Sequence, residues 1–156
     1  MNDMRRAGNR NETTAGGGSD AERLFELFKA QAPAEDVAAY DPAVLERAAQ
    51  LAAAALKRHR RGDSVIAIDN DPKLTLQGRA LTAITVINDN MPFLFDSITG
   101  EVTETTGEPT LVLHPVISVR HGRGGGAAMA AETARGGVEP GRVSLIHIHL
   151  PRLPAH

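Results

Sequence analysis

The 156-residue sequence has no cysteine, which excludes disulfides, thiolate metal sites and thiol nucleophiles. A reducing, cytoplasmic setting is the expectation. Tryptophan is absent too, and Phe25, Phe28, Phe93, Phe95 and Tyr40 are the only aromatic rings apart from histidine, 3% of the chain. A core must then be assembled from Leu, Ile, Val and Ala, which bury less area per residue. No apolar run approaches the roughly 18 residues of a bilayer span, and residues 1–20 lack the apolar centre of a secretory signal. An excess of positive charge is missing as well: the formal net charge is −2, no broad field for nucleic acid or an anionic membrane. What is present, 42% hydrophobic and 23% charged residues, is the balance of one globular domain. Its chemistry has to come from oxygen and nitrogen groups.

Residues 1–19, polar and carrying a Gly-Gly-Gly run, read as a disordered tail. Asp20 is placed to cap a short helix carrying Leu24, Phe25, Leu27 and Phe28, which Pro33 closes. Asp41 then caps a second helix with Pro42 in its first turn. Val44, Ala48, Leu51, Ala52, Ala55 and Leu56 recur along it as one apolar stripe. The helix runs out in Lys57, Arg58, His59, Arg60 and Arg61 before Gly62, a solvated cationic end that complements the helix dipole rather than a nucleic-acid contact. Residues 20–62 form an N-terminal helical arm on this reading.

Beyond the arm the period changes. Residues 64–69 (SVIAID) and 81–88 (LTAITVIN) are short β-branched runs separated by turn-forming residues. Pro92 restarts a helix, capped by Asn90 or entered at Met91, with Leu94, Phe95, Ile98 and Val102 as its buried side. Gly107 ends it. Residues 110–119 (TLVLHPVISV) form another strand, in which Pro115 predicts a sheet edge or a bulge because it cannot donate to a ladder. A Gly-rich loop is expected over residues 121–142, followed by a last strand, residues 143–150 (VSLIHIHL). The order strand, helix, strand, strand over residues 63–156 predicts an α+β fold, an incomplete ferredoxin-like βαββ sandwich preceded by the arm and one extra strand. A complete sandwich needs a further helix and strand. Either the arm and the early strand replace them, or the chain is the truncated front part of a longer polypeptide.

The densest chemical pattern is at residues 88–97 (NDNMPFLFDS), where a strand ends and a helix begins. Free amides of Phe93, Leu94 and Phe95 suit a carboxylate or phosphate, and Asp89 suits an amine, so the junction is a candidate amino acid site. The plainer reading is that Asp89 and Asn90 cap the helix. Asp96 and Ser97, adjacent on that helix, point about 100° apart, which is a poor geometry for a base and its nucleophile. His147 and His149 project from one strand face and could share a metal with His114, but no carboxylate nearby completes a ligand set, so buried structural histidines and no metal are expected. No catalytic constellation and no dinucleotide fingerprint is present.

Residues 88–97, followed by Leu113-His114-Pro115-Val116 and by Ile146-His147-Ile148-His149, resemble the N-terminal region of the large bacterial NAD-specific glutamate dehydrogenases. Residues 32–37 (APAEDV) and the Asp41 helix stand in matching order, so the likeness runs from about residue 20 to residue 150. It implies an ACT-like domain, a ferredoxin-type module used for amino acid sensing or subunit contacts, in a truncated form. It also implies a parent enzyme converting L-glutamate, NAD and water to 2-oxoglutarate, ammonia and NADH in amino acid catabolism. The NAD site would then lie far downstream, leaving this chain without a cofactor and not catalytic. Its partners would be the downstream domains, further copies in a homo-oligomer and an amino acid effector bound at Asp89, Asn90, Phe93, Leu94, Phe95, Asp96 and Ser97, with no nucleic acid and no membrane. Residues 88–92 contain no Gly to let a ligand approach the backbone, which favours a scaffold over a sensor.

Overall fold

The computed structural model describes residues 19–89, 94–122, 126–130 and 141–153. The tail read over residues 1–19, apart from Ser19, the cap read at Asn90 and the first turn read at Pro92 lie outside these residues.

Three helices build the arm: α1 (Asp20–Gln31), α2 (Ala34–Ala39) and α3 (Pro42–Lys57). The cap of α1 is Ser19, not Asp20. Its hydroxyl accepts from the Glu22 amide at 3.2 Å, while the Glu22 carboxylate accepts from the Ser19 amide at 2.8 Å. This capping box displaces Asp20 into the first turn, where its carboxylate instead accepts from the Met129 amide at 3.2 Å. Asp41 caps α3 through the Ala43 amide, with Pro42 following as expected. The apolar stripe of α3 is wider than its spacing suggested, since Leu45, Ala49 and Ala53 are also buried. The short helix α2 has no side-chain cap and no buried residue, so its sequence carries little periodic signal.

The sheet comprises β1 (Val65–Asp69), β2 (Thr75–Leu76), β3 (Arg79–Asp89), β4 (Leu111–Leu113), β5 (Val116–His121), β6 (Ala127–Met129) and β7 (Gly141–Pro151), with α4 (Leu94–Thr106) between β3 and β4. The strand order is β1-β3-β7-β5-β6; β2 hairpins onto β3, and β4 pairs with β7. Every pairing is antiparallel. The β2–β3 turn puts Gln77 and Gly78 at φ 52° and 82°, the left-handed pair that matches strand twist in a two-residue hairpin.

Strands β4 and β5 are one line broken at His114-Pro115. Leu111 faces His149 and Val116 faces Ser144, so the register crosses the break unshifted and no bulge forms. Pro115 stands inside the ladder against β7. Its carbonyl accepts from the Leu145 amide at 3.0 Å, and the return bond is missing because proline has no N–H. Within the stretch read as a loop, Ala127–Met129 forms β6 against β5. Gly126 precedes it so close to α3 that a Cβ there would lie 2.5 Å from the Lys57 carbonyl oxygen.

In order, β3, α4, β4/β5 and β7 make the βαββ unit of a ferredoxin-like fold, and β1 fills the place of a fourth strand beside β3. The helices divide between the two faces. Leu81, Ala83, Ile87, Val143 and Leu145 face the arm and join one core with Leu24, Phe28, Leu45 and Leu56. Val86, Ile146, Ile148 and Leu150 face the other way, against Phe95, Ile98 and Val102 of α4. Alternation along the strands makes this division obligatory. β1 therefore supplies a fourth strand, but the arm supplies no second helix on the α4 face. There Ile66 and Ile68, opposite Val86 and Ile84, are 64% and 63% exposed.

Candidate functional site

The arm meets the sheet through two sets of polar side chains set into an otherwise apolar face. The first is a chain of five. Thr85 Oγ1 lies 2.9 Å from His147 Nδ1, and His147 Nε2 lies 2.9 Å from His149 Nε2. His149 Nδ1 is 3.0 Å from the Tyr40 hydroxyl, which is 2.9 Å from Thr110 Oγ1. Thr110 Oγ1 ends 3.2 Å from the carbonyl of His149.

That carbonyl can only accept, so the chain acquires a direction. Thr110 donates to it, Tyr40 to Thr110, His149 Nδ1–H to Tyr40, His147 Nε2–H to His149 Nε2, and Thr85 to His147 Nδ1. Each donor finds one acceptor only when both imidazoles are neutral. Burial acts in the same sense: it holds His149 down to about 4 and His147 well below the ordinary histidine value, with His149 adding to the effect on His147. Burial also lifts Tyr40 to about 12, against the lowering hydrogen bond with Thr110. Both histidines are 0% exposed, and His147 stacks on Phe28 with centroids 5.3 Å apart. No substrate reaches these rings; they orient the arm on the sheet. Replacing Tyr40 with Phe strands His149 Nδ1–H and removes the bond that Thr110 Oγ1 accepts, and is expected to lower unfolding free energy by about 1–3 kcal/mol. Urea denaturation of Y40F beside the parent checks it, and an unchanged midpoint would show that the chain of bonds contributes nothing.

The second set lies at the end of the sheet. His59, read in the sequence as part of a solvated cationic end, is instead 0% exposed, because the chain turns inward after Lys57. Its Nδ1 is 3.0 Å from His121 Nε2, and its Nε2 stands 3.7 Å from Asp89 Oδ1. Beside this pair is a cleft of about 260 Å³ lined by Arg61, Asp89, Val119, His121, Gly141, Arg142 and Val143. The grouping of His59 and Arg61 with His121 and Arg142 was not found from sequence, since they come from three separate segments.

The residues singled out at the strand–helix junction do not all meet. Asp89 ends β3 and contacts His59 on the arm side. Phe95 stacks on His114 on the opposite face, centroids 4.5 Å apart. Asp96 and Ser97 are exposed on α4. Asn90 and Phe93 lie outside the described residues, and Leu94 is the first residue of α4. His114 is likewise separated from the His147–His149 pair by the thickness of the sheet, so the three do not converge. Among the described residues no group of three or more His, Asp or Glu side chains could hold a metal ion. No helix among them is long and apolar enough to cross a membrane.

Comparison with known families matches residues 24–156 to the family described as glutamate dehydrogenase, ACT1 domain. No curated protein and no solved structure matches the chain.

Proposed function

The chain belongs to the glutamate dehydrogenase ACT1 domain family, and from that premise we propose that it is the N-terminal regulatory or assembly part of an NAD-dependent glutamate dehydrogenase, working in the cytoplasm in glutamate catabolism. The parent reaction is oxidation of L-glutamate by NAD to 2-oxoglutarate, ammonia and NADH. The observation that carries the reading is the family match over residues 24–156. The site geometry supports a non-catalytic role for this segment: Thr85, His147, His149 and Tyr40 are buried and bonded to one another. NAD belongs to downstream domains on this reading, for the described residues offer no glycine-rich turn leading from a strand into a helix to cradle a pyrophosphate.

Its partners are then those downstream domains and further copies of the same enzyme. The second reading, an amino-acid-binding module at Asp89, is favoured by one observation, the polar cleft that Asp89 lines. The purified chain is expected to give no glutamate-dependent NADH absorbance. Turnover by this chain alone, retained after repurification, would sink the regulatory reading.

A further inference from the structure

We propose that the cleft between Arg61, Asp89, His121 and Arg142 binds a small carboxylate anion, with the two arginines holding the carboxylate. The inference deepens the regulatory reading and rests on it for its physiological meaning. At about 260 Å³ the cleft is many times the space one water needs, enough for a small acid.

Its wall is unbalanced in charge. Arg61 comes from the turn after α3 and Arg142 from the start of β7, both exposed, and among the described residues neither has an ion-pair partner. Asp89, the carboxylate of the lining, is directed at His59 Nε2 at 3.7 Å. Two guanidinium groups against one carboxylate leave an excess positive charge facing the opening, and planar guanidinium donors match a carboxylate.

Two ring nitrogens give an independent sign of a missing partner. His121, which lines the cleft, has a buried Nδ1 with no hydrogen-bond partner among the described residues, and so has Nε2 of the fully buried His59 behind it. Buried polar atoms of this kind normally have a partner. His59 Nδ1 and His121 Nε2 share one hydrogen, so a protonated His121 carries hydrogens on both ring nitrogens, and the one on Nδ1 is left for an anion in the cleft. Burial, His59 and Arg61 hold His121 below its ordinary value, and Asp89 opposes them. An anion placed beside His121 and Arg61 offsets those effects, so binding takes up a proton and strengthens as pH falls.

Isothermal titration of the 156-residue chain with 2-oxoglutarate, glutarate, L-glutamate and inorganic phosphate, each at pH 6 and pH 8, tests this. Saturable binding of at least one acid is expected, tighter at pH 6. Arg142→Gln and Arg61→Gln should each weaken it by about tenfold or more, the scale of a charge-assisted bond, while Lys73→Gln changes nothing. Circular dichroism checks that each variant is folded. L-glutamate outbinding glutarate would identify an amino acid whose ammonium group meets Asp89; the reverse order would identify a plain or keto diacid. Absence of binding by the folded chain, tighter binding of phosphate than of any acid, or indifference to both arginine substitutions would overturn the assignment. Affinity equal at pH 6 and pH 8 would remove His121 from it. If an acid binds here and leaves the complete enzyme's activity and assembly unmoved, the site stands and the regulatory reading falls. Failure to bind removes the site and leaves the assembly reading intact.

Discussion

Phe28→Ala is expected to lower the free energy of unfolding by about 3–5 kcal/mol, the range for deleting a large buried ring. Phe28 is 1% exposed and is the largest fully buried side chain of α1, lying between the arm and the sheet against His147. In a chain so poor in aromatic residues, its core is rich in small side chains: Ala48, Ala49 and Ala52 are at 0% exposure in the same cluster. Alanine side chains cannot move to fill the space, so the cavity should stay open. Phe25, only partly buried against that core and covered by Lys29 at 4.3 Å, is the natural comparison. Guanidinium denaturation of F28A and F25A reports both, and a cost for F28A no greater than that for F25A would contradict the docking described for the arm.

Acidification is expected to have an effect of similar size. His149 is held near 4 in the folded chain, against an ordinary value of 6.5, and His147 lies well below it as well. Below pH about 6.5 the unfolded chain takes up protons that the folded chain refuses, so stability falls with pH. The contribution of His149 is complete above about 6.5 and is lost progressively down to about 4, amounting to about 3 kcal/mol. His147 adds to it with the same sign, as do His114 and His121, both lowered first by burial. Denaturation midpoints between pH 7 and pH 5, above the range where most carboxylates titrate, isolate the histidines. A flat profile there would mean that the rings are not buried neutral.

Legibility in the sequence followed the kind of signal each segment carries. The Asp41-Pro42 start of α3 and its apolar stripe rest on local chemistry, and the structure follows them closely. The alternation in residues 143–150 placed His147 and His149 on one face correctly, because period two is a property of the strand itself. Pro115 was harder to place. Its missing N–H was legible as a sheet edge or a bulge, but that the defect falls within an unshifted ladder depends on β7, which comes some 30 residues later. His59 was misjudged for a similar reason: a cationic run marks a solvated helix end by composition, and only the packing of α3 against the sheet turns one member of that run inward.

The division of helices between two faces was also beyond local reading. Strand alternation shows that both faces of β3 and β7 are apolar, not which helix covers which. The candidate junction at residues 88–97 was read as one unit because its members are consecutive. In the fold, Asp89 and Phe95 turn to opposite sides of the sheet, while Asp89 gains neighbours from the α3–β1 turn, β5 and β7.

The most direct test of the central claim compares the complete enzyme with a form lacking residues 24–156, by sedimentation and by steady-state glutamate oxidation in the presence and absence of small carboxylate effectors. A regulatory or assembly domain predicts that the shortened enzyme still oxidises glutamate with NAD, with an altered oligomeric state or a lost effector response. An enzyme that loses all turnover while its assembly stays intact, or one unchanged in turnover, assembly and effector response alike, would contradict it.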